Sequence, residues 1–563
     1  MREVAFVNEL FLPFGFEGYR WSAYCVCNVA FAVLCSVSLA VAAGCNASRL
    51  ARPAFMVATL THLIFQWPLA LFSPIFEKSL TDFWFFAASI HLPVLSGILW
   101  VVITPRQTQR LRISDETTPL LSRNISVVSQ LIVLLFFAGL TTAYLGQIGW
   151  RCTALYALMV DPELTLLARE VCGKLGGARI QAYAFGVLVN VVCPLTTYFS
   201  LCGFLSSLAK QRYVWATAWT AIGAIATLTV LLTGAKGNLL PTLIVIFIAL
   251  LVTQGTWKRR IAVIICVTGF GIFLLSTFEM IRENRAIFNG RYDVGTCMAR
   301  LNACDEGHRL LSSLRSRNLT LGVASSRIIA LERDLCRACL PQENQRTEFQ
   351  TLCAAEEASA LPREKQETIP KASSTDTTAS DSAIGGSIAD RARKVMLGII
   401  IRIGASPVQI AGWHYKYVEE FGSPGVSALP VAKFLGFQRT VMPSRVHDAY
   451  YHLYASGDKT STGTAPTSFL LAYPAYLGPA GGLLAMLALL FFDFLACAVL
   501  GRLPASLKPA GIGLIAVGCM NLILSDFGAT FISHGTAAAL LLLFGLSFVE
   551  KGNVKKILLM GFR

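Results

Sequence analysis

Basic residues that interrupt apolar or glycine-rich stretches are the first candidates for chemistry in this sequence. Lys236 lies in "TGAKGN" between two apolar runs, and Arg282 and Arg285 lie three residues apart in "FEMIRENRAIFNGR". Residues three apart share one face of a helix, where two guanidinium groups can hold an oxyanion in fork geometry. Further arginines follow in and after "GIIIRIGASP": Arg402, Arg439 and Arg445. These cations fit a phosphate group, and the alternatives are a solvated turn lysine and interfacial anchors.

A second group of residues has the types expected of a general base. The segment "PSRVHDAYYH" (443–452) contains His447, Asp448 and His452. A histidine with an unperturbed pKa of about 6.5 accepts a proton at neutral pH. His414 and Glu419, in "GWHYKYVEE", compete for the same role. A plain surface position is the alternative for the two histidines of the segment.

The composition predicts a polytopic membrane protein. Of the 563 residues, 54% are hydrophobic and 14% are charged, and the mean hydropathy is +0.58. Soluble domains average about 25% charged residues. The N-terminal stretch lacks the basic-then-apolar order of a cleaved signal peptide, so the first apolar run is predicted to be a span. The net charge of +15 is explained by basic cytoplasmic loops, and no nucleic-acid partner is expected.

We predict an all-α polytopic membrane protein with about eleven transmembrane helices and one large periplasmic loop before the last three spans. A span needs roughly 20 predominantly apolar residues. Short loops on one side carry seventeen Lys and Arg, and those on the other, without the large loop, carry eight. By the positive-inside rule the first set is cytoplasmic, so the N-terminus and the large loop lie outside and the C-terminus inside. The predicted spans are 22–44, 54–76, 83–104, 125–149, 183–208, 214–233, 238–254, 261–281, 470–500, 509–524 and 532–549.

The large loop divides the chain into three parts. An N-terminal transmembrane bundle of about eight spans (1–281) precedes the periplasmic loop (282–469). About three spans and a basic cytoplasmic tail follow (470–563). Within the loop, 297–358 is predicted to form polar helices, and 359–390 is a flexible low-complexity linker.

The helical insert of the loop is rich in cysteine. Disulfides are expected outside the membrane, and Cys336 with Cys353 is one possible pair. A zinc half-site in "CRAC" (336–339) is the alternative, but no second half-site lies at metal-ligand spacing, and no metal is expected. The remaining eleven cysteines of the chain are predicted to be small core residues. The five of the insert are Cys297, Cys304, Cys336, Cys339 and Cys353.

The stretch "GTAPTSFLLAYPAYLGPAGGLLAMLALLFFDF" (463–494) resembles the "P-T-S … Y … G … G" signature near the last spans of Wzy-type polymerases. That family joins the repeat units of O-antigens and other surface polysaccharides. Three more features are similar to the family: the turn "TGAKGN", an arginine after the following span, and "RIGASP" at 402–407. The resemblance covers roughly 225–290 and 395–500.

The resemblance implies glycosyl transfer at the periplasmic face of a bacterial inner membrane. The growing glycan would move from undecaprenyl diphosphate onto the end of a lipid-linked oligosaccharide repeat unit, without a cofactor. The expected partners are these lipid-linked oligosaccharides, the lipid bilayer and a polysaccharide chain-length regulator. The cations named above would hold the diphosphate, a base from 443–452 would serve the acceptor hydroxyl, and three aromatic residues would bind sugar: Trp413, Tyr450 and Tyr451.

Three other functions stay open at this point. An O-antigen ligase uses the same donor and has a similar layout. A flippase or transporter of lipid-linked oligosaccharide is expected to show internal repeats and ionisable groups at the midplane. Neither is evident in the sequence. A non-catalytic membrane scaffold is the last alternative, and the clustered cations argue against it.

Overall fold

The described part of the chain is helical and contains no β-strand. The computed structural model describes residues 23–45, 47–71, 80–111, 125–165, 179–234, 236–253, 406–430, 432–438, 440–454 and 466–550, with the single residues 168, 262, 265, 269, 292 and 297.

The principal helices follow one another along the chain, and two of them, α2 and α7, contain a π turn. The π turns lie at His62–Gln66 and Leu188–Val192. The helices are α1 Ala23–Cys45, α2 Pro53–Leu71, α3 Phe83–Ile103, α4 Pro105–Arg110, α5 Val127–Ile148, α6 Ala154–Val160, α7 179–209, α8 Tyr213–Leu231, α9 Leu239–Thr253, α10 Ser406–Phe421, α11 Met442–Tyr454, α12 Phe469–Leu477, α13 Pro479–Arg502, α14 Lys508–Leu524 and α15 Thr536–Glu550.

Seven of the described helices are long and apolar enough to cross a membrane: α1, α2, α3, α5, α7, α8 and α13. Shorter apolar helices correspond to three further predicted spans, namely α9, α14 and α15. The prediction of an α-helical membrane protein is therefore confirmed. Of the predicted span 261–281, only residues 262, 265 and 269 are described. The total of eleven spans therefore stays a prediction.

The predicted span 470–500 is divided by a sharp break at Gly478. Gly478 has φ +61°, which favours glycine, and it separates the short helix α12 from α13. Ser468 caps α12 by accepting a hydrogen bond from the Leu470 N–H. A Cβ on Gly481 would lie within 1.9 Å of the Tyr473 carbonyl oxygen, so α13 passes directly against α12. Residues 469–476 are all buried, as an apolar helix inside a bundle must be.

Helix α3 runs between the two ends of the bundle. At its start, Asp82 caps the helix by accepting from the Phe85 N–H, and Glu419 of α10 accepts from the backbone N–H groups of Thr81 and Asp82. We call this the loop end, because α10 and the segment after it lie here. Pro430 of that segment contacts Gly528, next to the Ala529–Ser533 turn. With 21 residues, α3 spans about 31 Å to the opposite end.

A buried ion pair joins four helices at that opposite end. Arg52 Nη2 lies 2.5 Å from Asp493 Oδ2 of α13, and both side chains are fully buried. Arg52 also donates to Thr104 Oγ1 at 2.7 Å and to Gln107 Oε1 at 3.1 Å. Asp493 accepts in addition from Trp100 Nε1 and from the Ala54 backbone N–H, each at 3.0 Å. We call these residues the Arg52 cluster.

One disulfide connects distant parts of the chain. Cys152, just after α5, is bonded to Cys297 of the predicted large loop, 145 residues away, with the two Cα atoms 5.3 Å apart. Tyr292 is buried beside it and donates its hydroxyl to the Cys152 carbonyl oxygen at 3.1 Å. Cys152 is therefore not one of the free core cysteines that the sequence predicts. The predicted Cys336–Cys353 pair lies outside the described residues.

Candidate functional site at the loop end

Two helices of the predicted large loop, α10 and α11, pack against each other and against the loop end. The buried face of α10 carries Val408, Ala411, Gly412, Trp413, His414 and Tyr415. Helix α11 contributes Met442, Val446 and Tyr450, which are four residues apart and therefore on one helix face. The aromatic, turn-rich stretches of the predicted loop thus form an amphipathic helix pair.

A cluster of mixed chemistry lies where α10 meets α11. The Tyr450 hydroxyl donates to Glu420 Oε2 at 2.6 Å, and Lys416 Nζ lies 3.7 Å from Glu420 Oε1. Lys416 also lies 5.8 Å from the centre of the Tyr450 ring, which in turn lies 6.4 Å from that of Trp413. The side chains of Lys416 and Glu420 are 38% and 43% exposed, so solvent reaches both charges. We call these four residues the Glu420 cluster.

The position of the Tyr450 proton follows from its surroundings. Burial and the neighbouring Glu420 carboxylate raise the pKa of Tyr450. The phenol therefore stays protonated across the neutral range and donates to Glu420, which acts as the acceptor. One oxygen of Glu420 is oriented by this bond, while Lys416 faces the other.

Tyr476 fixes α10 to the broken helix. Its hydroxyl lies 2.5 Å from Nδ1 of His414, which is fully buried, and its backbone carbonyl accepts from the Ser423 hydroxyl. This contact joins "GWHYKY" of the loop to "AYPAYLG" of α12, 62 residues along the chain. His414 thus occupies a buried contact between helices.

Glu419 holds α10 to the start of α3. Its Oε1 accepts from the Thr81 and Asp82 backbone N–H groups at 3.0 and 3.2 Å. A carboxylate at a helix N-terminus satisfies N–H groups that have no partner within the helix. Beside it, the Tyr415 ring packs edge-to-face on Phe86 with centroids 4.9 Å apart. The competing base of the sequence analysis, Glu419, is therefore occupied, and its neighbour Glu420 faces Tyr450.

The structure brings together only part of the predicted site. Trp413 and Tyr450 meet, but both are buried, with 9% and 5% of their surface exposed. His447 is buried on α11, whereas Arg445 is exposed. The backbones of Asp448, His452 and Tyr451 lie in α11, and that of Lys236 lies in a 3-10 turn before α9. Nothing is described of these four side chains, and the other predicted cations lie outside the described residues: Arg282, Arg285, Arg402 and Arg439.

Sequence reasoning missed Lys416, Glu420 and Tyr476. A usable signal was present for the first two, because Trp413, Lys416 and Glu420 are spaced i, i+3 and i+7 and therefore share a helix face. Tyr476 carries no such signal, since its partner is distant in sequence. Within the described ranges, no group of three or more His, Cys, Asp or Glu is placed to hold a metal ion.

The chain was compared with models of protein families, with curated proteins and with solved structures, and none of them matches it.

Proposed function

We propose that this protein is a membrane glycosyltransferase of the Wzy-like polymerase kind, and that the Glu420 cluster belongs to its active site. It transfers a glycan from undecaprenyl diphosphate onto the terminal hydroxyl of a lipid-linked oligosaccharide repeat unit. The resemblance described above supports this proposal, together with one structural observation. Two of the stretches that carry the resemblance, those of α10 and α12, are adjacent in the fold, and α9, which follows a third, is linked to α12 through α14.

That adjacency runs through α12 and α14. The stretch that begins "PTSF" forms α12, which is held to α10 by the contact between Tyr476 and His414. The Phe469 N–H at the start of α12 donates to the Ser525 carbonyl oxygen, just after α14. Helix α14 packs closely on α9, where a Cβ on Gly513 would lie 2.8 Å from the Val245 Cα. Helix α9 directly follows "TGAKGN", so this turn is linked to α12 and α10 through α9 and α14.

The disulfide supports an exoplasmic position for the loop end. Disulfides form and persist in oxidising compartments, such as the bacterial periplasm, and are rare in the cytosol. The Cys152–Cys297 bond joins two loops that the distribution of Lys and Arg also places outside. We therefore propose a multi-pass protein of the bacterial inner membrane with the Glu420 cluster on the periplasmic side.

In the proposed reaction the acceptor hydroxyl attacks the anomeric carbon of the donor glycan. The bond between that carbon and the diphosphate oxygen breaks, the lipid diphosphate leaves, and the hydroxyl proton passes to the Glu420 carboxylate. Tyr450 and Lys416 orient that carboxylate, and the buried Trp413 ring packs beside Tyr450. Cations at the diphosphate stabilise the charge that develops on the leaving group. The proposed diphosphate-binding cations are Arg445, which is exposed on α11, and Lys236, which precedes α9. The predicted arginines that lie outside the described residues complete this set.

Reconstitution tests the reaction class. Purified protein in liposomes receives a synthetic undecaprenyl-diphosphate repeat unit, and products are resolved by length. A ladder of products supports the polymerase. Product formed only when lipid A–core is added identifies an O-antigen ligase instead, and unaltered substrate that changes leaflet identifies a transporter. Either of these results, or no product at all, would overturn the proposal.

One observation favours transport of the lipid-linked oligosaccharide as a second candidate function. The spans are not free of ionisable groups at mid-depth, because His62 and His91 are buried within α2 and α3. Ionisable residues inside a membrane often mark a transport path. The leaflet measurement in the same liposomes decides between this candidate and the polymerase.

A further inference from the structure

Five polar side chains form a continuous hydrogen-bonded chain inside the apolar helices α1, α2 and α3. Trp67 Nε1 lies 3.0 Å from His62 Nε2, and His62 Nδ1 lies 2.6 Å from Gln66 Oε1. Gln66 Nε2 lies 2.6 Å from His91 Nδ1, and His91 Nε2 lies 2.8 Å from Asn28 Oδ1. Asn28, His62, Gln66 and His91 are each at most 7% exposed. We call these five residues the histidine chain.

The donors and acceptors of the histidine chain can be assigned in only one direction. The indole N–H of Trp67 can only donate, so Nε2 of His62 accepts and its Nδ1 carries the proton. That proton is donated to the Gln66 carbonyl oxygen. The Gln66 amide donates to Nδ1 of His91, so the proton of His91 lies on Nε2 and is donated to Asn28. Both imidazoles are therefore neutral, with opposite tautomers, and every ring nitrogen has a partner.

A charge on either ring would break this arrangement. A proton added to His62 Nε2 would face the Trp67 N–H, and one added to His91 Nδ1 would face the Gln66 amide. Among the described residues, the titratable side chain that contacts Gln66 beside the rings is Cys35, which accepts from Gln66 Nε2 at 3.4 Å. Helix α10, which packs against the turn, carries the buried His414 and Tyr415. None of the described groups in contact with the rings is an anion that would compensate a cation. The histidine chain is built for the neutral state.

The histidine chain adjoins α10, the helix that carries Lys416 and Glu420 of the candidate site. Three of its members, His62, Gln66 and Trp67, lie in or next to the π turn of α2, and α10 packs against this turn. Ile64 and Phe65 of the turn belong to the same apolar core as Trp413 and Tyr415. A π turn adds a residue to one helical turn and is often found at functional sites. Here the side chains that stabilise it also bind α1 and α3.

We propose that the histidine chain is a set of positioning residues: by holding the π turn of α2, it sets the position of α10 and therefore of the Glu420 cluster. In this proposal the histidine chain makes no contact with substrate and carries no proton between compartments. Its effect on activity rests on the proposed function, whereas its effect on the position of α10 does not.

Hydrogen exchange of the intact protein in lipid nanodiscs measures the position of α10 without any substrate. Gln66→Leu keeps the approximate volume but removes both the donor and the acceptor at the centre of the chain. We expect amides of residues 406–421 to exchange roughly 10-fold faster in this variant, since local opening follows the loss of supporting contacts. Asn190→Leu is the matched control, because Asn190 lies in the π turn of α7 and its described hydrogen bond is to its own helix, at Gly186. The control variant is expected to leave exchange in α10 unchanged.

Gln66→Glu supplies a readout that a purely steric role would not produce. A carboxylate at this position accepts from His62 but cannot donate to His91. With the Asn28 carbonyl oxygen at Nε2, both ring nitrogens of His91 then face acceptors, so a proton gained by His91 completes the chain. Protection of α10 in this variant should therefore rise as pH falls from about 8 to 5.5, a range that brackets the unperturbed histidine pKa of about 6.5. The wild type should show little change over that range.

The outcomes separate this inference from the proposed function. Faster exchange in α10 with Gln66→Leu, or pH-dependent protection with Gln66→Glu, supports the positioning role even if no polymer ladder is ever seen. If a ladder is seen, Gln66→Leu should lower kcat several-fold and leave KM nearly unchanged. Wild-type exchange in Gln66→Leu overturns the inference. If Gln66→Leu does not fold, flat protection of Gln66→Glu across pH overturns it instead.

Discussion

The two ends of the bundle treat their charged residues in opposite ways. In the Arg52 cluster, a cation and an anion are fully buried, and hydrogen bonds from α2, α3 and α4 surround them. In the Glu420 cluster, Lys416 and Glu420 face each other at 3.7 Å and are more than a third exposed. The first arrangement closes the charges off from any ligand, while the second leaves a carboxylate and an ammonium group within reach of solvent.

This difference indicates where stability and chemistry are located. A buried ion pair is costly to break, because removal of one partner leaves an uncompensated charge. An exposed pair contributes about 0–1 kcal/mol, so its residues are free to be selected for reactivity. We therefore expect substitutions at the Arg52 cluster to lower the free energy of unfolding and substitutions at the Glu420 cluster to lower activity.

The largest effect is expected from Arg52→Met. The substitution leaves Asp493 buried without its cation and should lower the free energy of unfolding by about 3–5 kcal/mol. Chemical unfolding in detergent measures this loss. Arg49→Met is the matched control, since within the described residues Arg49 makes one hydrogen bond, to the Ala42 carbonyl oxygen, and no ion pair. Equal stability of the two variants would contradict a structural role for the cluster.

A smaller effect is expected where α12 and α13 pass each other. In Gly481→Ala the new methyl group meets the Tyr473 carbonyl oxygen, whereas in Gly482→Ala the nearest neighbour is the Pro474 side chain at 3.8 Å. Overpacking of this kind costs about 1–3 kcal/mol, so Gly481→Ala should unfold at lower temperature than Gly482→Ala. Matching melting curves would show that the broken helix is not closely packed.

The spans were predictable, because hydropathy is a local property of the chain. The predicted spans 83–104 and 214–233 agree with α3 and α8 to within two residues at each end. The break at Gly478 was signalled only as a Gly-Pro-Ala-Gly-Gly interruption. The histidine chain escaped notice because two or three polar residues barely change the hydropathy of a span. The different roles of Glu419 and Glu420 depend on the rotation of α10 against α3, which no local pattern specifies.

Tyr450→Phe sharpens the comparison at the loop end. The substitution keeps the ring packed against Trp413 and removes the hydroxyl that orients Glu420. Stability should fall by no more than about 1 kcal/mol, the typical net value of one hydrogen bond. Activity in the liposome assay should fall about 10-fold, since a misoriented base transfers protons poorly. A loss of stability above that of Gly481→Ala would place Tyr450 among the structural residues instead.

Substitution of two adjacent glutamates is expected to have the smallest effect on stability. It is also the most direct test of the proposed site. Glu420→Gln and Glu419→Gln are the same change at neighbouring exposed positions, and both should leave the free energy of unfolding within about 0.5 kcal/mol of the wild type. The measurement is kcat for ladder formation in reconstituted liposomes. Glu420→Gln should lower kcat by about 100-fold or more, as expected for loss of a general base. Glu419→Gln should keep most of the activity, because an amide oxygen still accepts from the Thr81 and Asp82 N–H groups. A Glu420→Gln variant as active as Glu419→Gln would contradict the assignment of the Glu420 cluster as the active site.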